Sequence, residues 1–255
     1  SYKLDCISKI WDINMNNSTD FKNKKVLIAI PTFNESLNIT PLIDSILNKK
    51  LNTDILFIDD NSYDGTIDLI KKKQKLNTNI NLIINPRKSG VGNAHLMAIK
   101  YAYDNKYDLL VTMDADFTHD PKYIKEIIQM NINCPLVTAT RHVNKDSLNS
   151  WPKFRKFLTK AAYFFTKNFL KINFDATSGF RSYNLRKIDK NLFKDIKSKS
   201  YSFFVESSFK LNKSYQVKSL PIEMPIRFAE KSKMSKKDIF SIGIILLKLF
   251  FFGKS

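Results

Sequence analysis

Residues 111–116, Val111-Thr112-Met113-Asp114-Ala115-Asp116, form a short apolar run that ends in two carboxylates one residue apart. The apolar approach to them has the composition of a buried strand, and residues 117–121 then break it with turn formers. We therefore predict that both acids lie at the carboxyl end of a strand, where open α/β sheets bind ligands. Two carboxylates in one crevice repel each other unless a cation joins them, which suits Mg²⁺ or Mn²⁺ bound to phosphates. An isolated pair of this kind also serves as a helix cap, so the surrounding sequence has to distinguish a metal site from a cap.

Similar apolar runs with turn residues at their ends recur on both sides of this strand. They predict further strands at 24–30, 54–58, 80–84 and 136–140, with helices between them. Four successive strand–loop–helix units predict an α/β fold with a doubly wound, mainly parallel sheet flanked by helices. Residues 201–209 predict a helix, and residues 217–228 predict a last strand region that two prolines interrupt.

Composition and charge limit the class of protein. The 255 residues, 43% hydrophobic and 26% charged, are typical of a globular protein. The 42 Lys and Arg exceed the 24 Asp and Glu to give a net charge of +18, which indicates nucleic acid, a phosphate-rich ligand or an anionic membrane as partner. Cys6 and Cys134 are far apart, which argues against a disulfide framework or a zinc site. No secretory signal is evident, and residues 1–23 are interpreted as an N-terminal arm.

Two later segments combine apolar and basic residues. Residues 151–174 predict a helix or helix pair with phenylalanines on one face and lysines on another, either an ordinary surface helix or one lying on a membrane. Residues 239–252 are nearly all apolar, and as a helix they extend roughly 21 Å, short of the ~30 Å hydrocarbon core. We predict that this tail lies in the membrane interface or packs on a partner; a buried core helix is the alternative.

Loops at the predicted strand ends carry groups suited to a nucleotide. These residues are Phe33, Glu35, Asp59, Asp60, Arg87, Lys88, Gly90 and Gly92. The aromatic ring and the first carboxylate suit a base and a ribose, and the two aspartates are acceptors for the N–H groups of a nucleobase. The cations and the flexible glycines suit phosphates, although this glycine pair matches neither a Walker loop nor the full dinucleotide fingerprint.

Taken together, these loops resemble one family. The segments that carry the resemblance are Pro31-Thr32-Phe33-Asn34-Glu35, 58–66, Asp114-Ala115-Asp116 and Ala139-Thr140-Arg141. Their order and spacing resemble those of the GT-A glycosyltransferases of family two. Residues 87–94, 118–121 and 177–183 make the chain similar to the dolichyl- or polyprenyl-phosphate mannosyltransferase branch. The resemblance implies a GT-A catalytic domain over 24–230, followed over 231–255 by a basic segment and an apolar, membrane-facing helix.

The resemblance also implies an activity: inverting, metal-dependent transfer of mannose from GDP-mannose to the phosphate of a membrane polyprenyl or dolichyl phosphate. The donor-binding residues are then Pro31, Phe33, Glu35, Asp59, Asp60, Lys88 and Gly90. The catalytic residues are Asp114, Asp116 and Arg141, and the residues around Mg²⁺ or Mn²⁺ are Asp114, Asp116 and Thr118. The residues that bind the acceptor or its phosphate are Arg155, Ser178, Arg181, Lys231 and Lys233.

A phosphate acceptor agrees with the side chains available. Its second pKa is about 6, so near pH 7 it is mostly a dianion and needs no base to deprotonate it. None of His95, His119 and His142 is then required as a base, although His119 follows Asp116 by three residues. One departure from the family lies at Lys231, where the family has an arginine and a longer, glycine-containing loop; lysine cannot make the bidentate phosphate contact of arginine.

These observations predict a location and leave alternatives. The protein is expected on the cytoplasmic face of a membrane, peripheral or interfacially anchored, with no nucleic acid as partner; a small membrane subunit is left open. The first alternative donor is a UDP-sugar such as UDP-glucose. A non-catalytic descendant of the transferase fold and a basic nucleic-acid-binding module are the others. A processive polysaccharide synthase is disfavoured, since Trp11 and Trp151 are the only tryptophans and neither lies in the required Arg-Trp motif.

Overall fold

The computed structural model describes residue 21 and residues 23–142, 153–224 and 235–253. The strands in these ranges are β1 (Val26–Thr32), β2 (Thr53–Asp59), β3 (Ile80–Ile84), β4 (Leu109–Thr112), β5 (Leu136–Thr140), β6 (Arg181–Asn184) and β7 (Val217–Pro221). The α-helices are α1 (Ser36–Leu47), α2 (Thr66–Gln74), α3 (Val91–Asp104), α4 (Ile124–Asn131), α5 (Lys153–Asn168), α6 (Asn191–Lys194), α7 (Ser202–Ser214) and α8 (Lys236–Phe252). A 3₁₀ turn, Pro121–Tyr123, precedes α4.

The strands form one sheet in the order β3-β2-β1-β4-β6-β5-β7. Strands β1 to β4 are parallel, and β5 pairs in parallel with β7. Between these two groups lies β6, antiparallel to both β4 and β5. The sheet is therefore mainly parallel as predicted, with one antiparallel strand that the sequence pattern did not predict.

The core has two layers, one on each face of the sheet. Ile28 and Ile30 of β1 pack on one face against α1 and α4, and Leu27 and Ala29 pack on the other against α3 and α7. All four side chains are fully buried. Burying a leucine or isoleucine side chain contributes about 1.5–3 kcal/mol, which explains why the run is apolar without alternation.

A third apolar cluster joins α5, α7 and α8. Leu170, Ile172 and Phe174, which follow α5, form it together with Val205 of α7, and one face of α8 packs against it. The predicted helix over 151–174 ends at Asn168, and the predicted strand over 217–228 ends at Pro221. None of the helices in the described ranges has the length and apolar content that crossing a lipid bilayer requires.

Candidate active site

Strands β1, β2 and β4 end at one edge of the sheet, and the loops that follow them line a cavity of about 280 Å³. The predicted site residues that line it are Pro31, Phe33, Glu35, Asp60, Lys88, Gly90, Asp114 and Asp116. Asp59 and Arg141 are not among its lining residues. The loops that carry the predicted nucleotide-binding residues therefore line the same cavity as Asp114 and Asp116, as expected for loops that follow parallel strands.

Asp114 and Asp116 lie in a tight turn that begins just after β4. The side chain of Asp114 is 37% exposed, whereas Asp116 is buried and its Oδ1 accepts hydrogen bonds from Thr118 N at 3.1 Å and Thr118 Oγ1 at 2.6 Å. The turn is completed by Phe117, whose φ of 62° lies in the left-handed region. Thr118 is therefore placed to orient Asp116, and its place around a metal stays a prediction.

The donor set fits a divalent cation shared with a substrate. Asp114 and Asp116 both line the cavity with hard carboxylate oxygens. Among the residues that the structure describes, no cluster of three His, Cys, Asp or Glu side chains could hold a metal on its own. Mg²⁺ is commonly held by one or two carboxylates together with substrate phosphates, and these two residues meet that requirement.

Asp59 and Asp60 are consecutive but have different surroundings. Asp59 is fully buried and accepts from Thr32 Oγ1 at 2.9 Å and from both Ser62 N and Ser62 Oγ at 2.7 Å. The carboxylate lies inside the protein and ties the end of β1 to the loop after β2, and its contact with a nucleobase stays a prediction. Asp60, in contrast, lines the cavity.

The carboxylate of Asp60 shapes the loop between β3 and α3. It accepts from Ser89 N at 3.0 Å, Gly90 N at 2.9 Å, Ser89 Oγ at 2.8 Å and Asn85 Nδ2 at 2.7 Å. Gly90 has a φ of 93°, and a Cβ there would lie 2.5 Å from the carbonyl oxygen of Lys199. Only glycine fits this close approach, which brings the loop to the cavity wall.

The aromatic side of the cavity is formed by Phe33. The Lys88 ammonium lies 4.1 Å from the centroid of the Phe33 ring, and the edge of Tyr63 contacts the same ring at 6.2 Å between centroids. Glu35 is buried and accepts from Asn38 Nδ2 at 2.7 Å. The cavity therefore combines an aromatic surface, a cation and carboxylates, a set suited to a base, a diphosphate and a metal.

A buried ion pair lies at the end of β5. Arg141 Nε donates to Asp175 Oδ2 at 2.8 Å, and both side chains are nearly inaccessible to solvent. Thr177 donates to Asp175 Oδ1 through its N–H at 3.1 Å and its hydroxyl at 2.9 Å. Burial alone would raise the pKa of Asp175, but Arg141, His142 and Thr177 outweigh it and lower this pKa to about 2. Sequence reasoning missed Asp175, whose only signal was its place before the Thr-Ser-Gly segment.

Three of the five predicted acceptor residues lie within the described ranges. Arg155 lies on α5, and Ser178 is buried in the loop before β6. Arg181 is fully buried, and its guanidinium donates to the carbonyls of Ser178, Ala176 and Phe204 and to the hydroxyls of Ser207 and Ser208. Those protein acceptors hold the guanidinium inside the protein, and its contact with an acceptor phosphate stays a prediction. Lys231 and Lys233 lie outside the described residues.

None of the three histidines is placed as a general base. His95 is fully buried, and burial, followed by the charges of Arg181 and His119, lowers its pKa to about 3. His142 stacks on Tyr163 at 4.0 Å, and its pKa is lowered chiefly by burial. His119 is 2% exposed, and its Nδ1 accepts from the backbone N–H of Asp114.

Four further residues line the cavity, and the motifs did not reveal them. These are Ser200, Tyr201, Ser235 and Asp238. Ser235 and Asp238 form a capping box that starts α8, and the Ser-x-x-Asp pattern predicts such a helix start. The pattern predicts where α8 begins in the sequence but not where that end lies in space. The position of Ser235 and Asp238 at the cavity is therefore seen only in the structure.

Comparisons with known proteins identify the family of this chain. Residues 27–193 match the family model described as Glycosyl transferase family 2. The chain belongs to this family. A family 2 relative, the undecaprenyl-phosphate mannosyltransferase of Micrococcus luteus, is 30% identical over 219 residues, which cover 83% of this chain and 88% of the relative. The polyprenol monophosphomannose synthase of Mycolicibacterium smegmatis is 28% identical over 224 residues, covering 85% and 83%.

A solved structure of another protein has the same fold as this chain. Glucosyl-3-phosphoglycerate synthase from Mycobacterium tuberculosis, in complex with Mn²⁺, UDP and glucosyl-3-phosphoglycerate, superimposes with a TM-score of 0.67 at 13% identity, covering 91% of this chain and 81% of that chain. That structure contains a divalent metal, in agreement with divalent metal use among proteins of this fold. The family and the fold predicted from the sequence are both confirmed.

Proposed function

We propose that this family 2 glycosyltransferase transfers mannose from GDP-mannose to the phosphate of a polyprenyl phosphate, with inversion and with Mg²⁺ or Mn²⁺. The observation that carries the proposal is that Asp114 and Asp116 line the same cavity as Phe33 and Lys88. The names of the two relatives support the sugar and the acceptor, because each relative is matched over more than four fifths of its length.

Different residues of the cavity would bind different parts of the donor. The ring of Phe33 offers a face for the base, and Lys88 offers a positive charge for a phosphate. A cation held by Asp114 and Asp116 would neutralise the diphosphate as it leaves. In the reaction an acceptor phosphate oxygen bonds to the anomeric carbon while the bond from that carbon to the donor diphosphate breaks. The acceptor arrives mostly as the dianion, so no histidine has to take its proton.

Arg141 is held in one orientation before substrate arrives. Its guanidinium is fixed by Asp175, and its Nη2 also donates to Thr177 Oγ1 at 3.1 Å. Arg141 does not line the cavity, so its catalytic role requires a phosphate to reach the end of β5, where a fixed cation would lose little freedom on contact.

We further propose that α5 and α8 lie in the membrane interface, where the lipid acceptor resides. Phe240, Ile244, Leu247 and Phe251 of α8 are 71%, 51%, 53% and 67% exposed, and their spacing of four, three and four residues places them on one helical face. On α5, Phe154, Phe157 and Phe164 are 68%, 66% and 61% exposed, in a helix that also carries four lysines. The two helices adjoin through Phe165 and Phe250, whose centroids are 6.2 Å apart. Apolar side chains beside lysines are typical of helices on anionic membranes.

The donor and the metal are tested by a transfer assay. Purified protein is given radiolabelled GDP-mannose or UDP-glucose with a short polyprenyl phosphate and Mn²⁺, and labelled lipid is counted. We expect product from GDP-mannose, and a loss of transfer rate of 100-fold or more, about 3 kcal/mol, in Asp116→Ala. Greater transfer from UDP-glucose would refute the donor. Equal turnover by Asp116→Ala and the starting protein would refute the metal site.

The membrane surface is tested by sedimentation with vesicles of phosphatidylcholine and phosphatidylglycerol. Phe240→Ser with Phe251→Ser is expected to weaken vesicle binding by a factor of roughly ten or more, because two exposed rings leave the interface. Leu76→Ser removes a side chain that is 76% exposed but distant in sequence from both helices, and it serves as the matched control. Equal binding by the double variant and the control would contradict the proposal.

A further inference from the structure

The imidazole of His119 is packed against the turn that carries the two acids. It is 2% exposed, and its Nδ1 accepts a hydrogen bond from the backbone N–H of Asp114 at 2.9 Å. The same Nδ1 lies 3.8 Å from Asp114 Oδ2. Because Nδ1 is the acceptor, the neutral ring carries its proton on Nε2. This geometry leaves His119 no free lone pair on Nδ1 for a metal or a substrate proton.

The ring of His119 also joins two segments of the site. It stacks on Phe180 with centroids 5.3 Å apart and an angle of 27° between the planes. Phe180 is fully buried, just before β6, and its carbonyl accepts from the backbone N–H of Ala139 at 2.9 Å. The stack therefore holds the turn after β4 against the segment that leads into β6.

The turn needs such support because its backbone is strained. Phe117 adopts a φ of 62°, a conformation that costs a residue other than glycine on the order of 1–3 kcal/mol and persists only where its surroundings hold it. Thr118 fixes Asp116 by two hydrogen bonds. His119 supplies the corresponding tie to Asp114, through the backbone rather than the carboxylate.

We propose that His119 is a positioning residue: its Nδ1 holds the Asp114 backbone so that the carboxylates of Asp114 and Asp116 present their oxygens to one cation. The inference rests on the proposed function, in which these two acids hold the metal. It assigns His119 neither a proton transfer nor a bond to the ion. Its effect is on metal affinity, as expected of a group that orients a ligand.

Two substitutions separate the hydrogen bond from the packing. His119→Asn keeps an acceptor, since its Oδ1 takes a place similar to that of Nδ1, but loses the stacked ring. His119→Phe keeps a ring for Phe180 but loses the acceptor. Mn²⁺ affinity is measured by electron paramagnetic resonance of free Mn²⁺ in the presence of GDP, without sugar or acceptor, and thermal melting is recorded for each protein.

We expect His119→Phe to raise the Mn²⁺ dissociation constant about tenfold or more, which is the usual effect of removing a hydrogen bond that orients a metal ligand. We expect the dissociation constant of His119→Asn to stay within about threefold of that of the starting protein. His119→Asn is expected to show the lower melting temperature of the two, because it loses the ring. Unchanged Mn²⁺ affinity in a folded His119→Phe would overturn the proposal. So would equal weakening by both variants.

A measurement on the unmodified protein is independent of whether the variants fold. Two-bond ¹H–¹⁵N correlation spectra identify the tautomer of each histidine, and we expect His119 to carry its proton on Nε2. A proton on Nδ1 would overturn the inference. If the unmodified protein and Asp116→Ala bind Mn²⁺ equally weakly with GDP, the metal site of the proposed function fails instead, and the tautomer still reports on the hydrogen bond.

Discussion

Replacing Asp175 with asparagine tests whether a buried ion pair holds Arg141 in place. The side chain of Asp175 is 1% exposed and that of Arg141 is 9% exposed. The pKa of Asp175 falls from 3.8 to about 2 on folding, because Arg141 and its other partners outweigh burial. The carboxylate therefore stabilises the fold above pH 3.8, and this contribution is lost as the pH falls towards 2. Lowering the pKa of Asp175 from 3.8 to about 2 corresponds to about 2 kcal/mol of folding stability at pH 7.

A second estimate comes from the charge that the substitution leaves behind. Removing one partner of a buried ion pair typically costs about 3–5 kcal/mol, since the other charge stays buried without compensation. Asparagine retains an oxygen that accepts from Thr177, so part of the network survives. We therefore expect Asp175→Asn to lower the free energy of unfolding by about 2–4 kcal/mol.

The measurement is urea unfolding followed by circular dichroism at neutral pH, with a double-mutant cycle that adds Arg141→Met. Because the second substitution removes the uncompensated charge, the double variant is expected to be more stable than the sum of the single effects by about 1 kcal/mol or more. Arg186→Met is the matched control: it breaks an ion pair with Asp108 whose arginine side chain is 70% exposed. It is expected to cost less than about 1 kcal/mol. If Asp175→Asn costs no more than this control, the ion pair does not hold the site.

Three further variants test other parts of the fold. Burial keeps the pKa of His95 near 3 in the folded protein, against 6.5 when unfolded. The free energy of unfolding should therefore fall by about 2 kcal/mol as the pH is lowered from 6.5 to about 4.5, because the unfolded chain binds a proton that the folded protein does not. Urea unfolding of His95→Leu should show a flatter pH dependence. Gly92→Ala would place a Cβ 2.6 Å from the Phe203 Cβ and 2.7 Å from the Lys199 carbonyl carbon, so urea unfolding should show a loss of about 1–3 kcal/mol; a stability equal to that of the starting protein would contradict this packing. Gly243 lies within α8 with no atom within 4 Å of an added Cβ, so Gly243→Ala should raise the free energy of unfolding by about 0.5–1 kcal/mol, and a loss would show a contact at that face.

The parallel part of the fold was predictable because its strands are buried on both faces. Leu27, Ile28 and Ile30 are apolar in succession since each face of β1 is covered by helices. Strand β6 carried no such signal. Its four residues, Arg181-Ser182-Tyr183-Asn184, are mostly polar yet buried, and they are inserted antiparallel between two strands distant in sequence. Only long-range pairing explains a strand of this kind.

The candidate site was predictable in its residue types more than in their directions. Asp114 and Asp116 line the cavity as expected from their place after a strand. Asp59 and Asp60 were given one role, although successive side chains at the end of an extended strand point to opposite faces, so only one of them was able to face the cavity. Arg181 was assigned to the acceptor phosphate through the family resemblance of the segment 177–183. Its acceptors, on loops and on α7, were hidden from any local pattern.

The acids of this site therefore perform two distinct tasks. Asp59, Asp60 and Asp175 are each at most 6% exposed and accept hydrogen bonds from loop residues: Asp59 from Ser62, Asp60 from Gly90, and Asp175 from Thr177 in the loop before β6. Such bonds fix the loops before any ligand binds, which lowers the cost of ordering them on binding. Asp114, at 37% exposed, has more access to solvent than any of these three. Buried carboxylates thus order the loops around the cavity, whereas Asp114 and Asp116, in a turn held by the hydrogen bonds of His119 and Thr118, line the cavity with the oxygen donors that a divalent cation and a diphosphate would require.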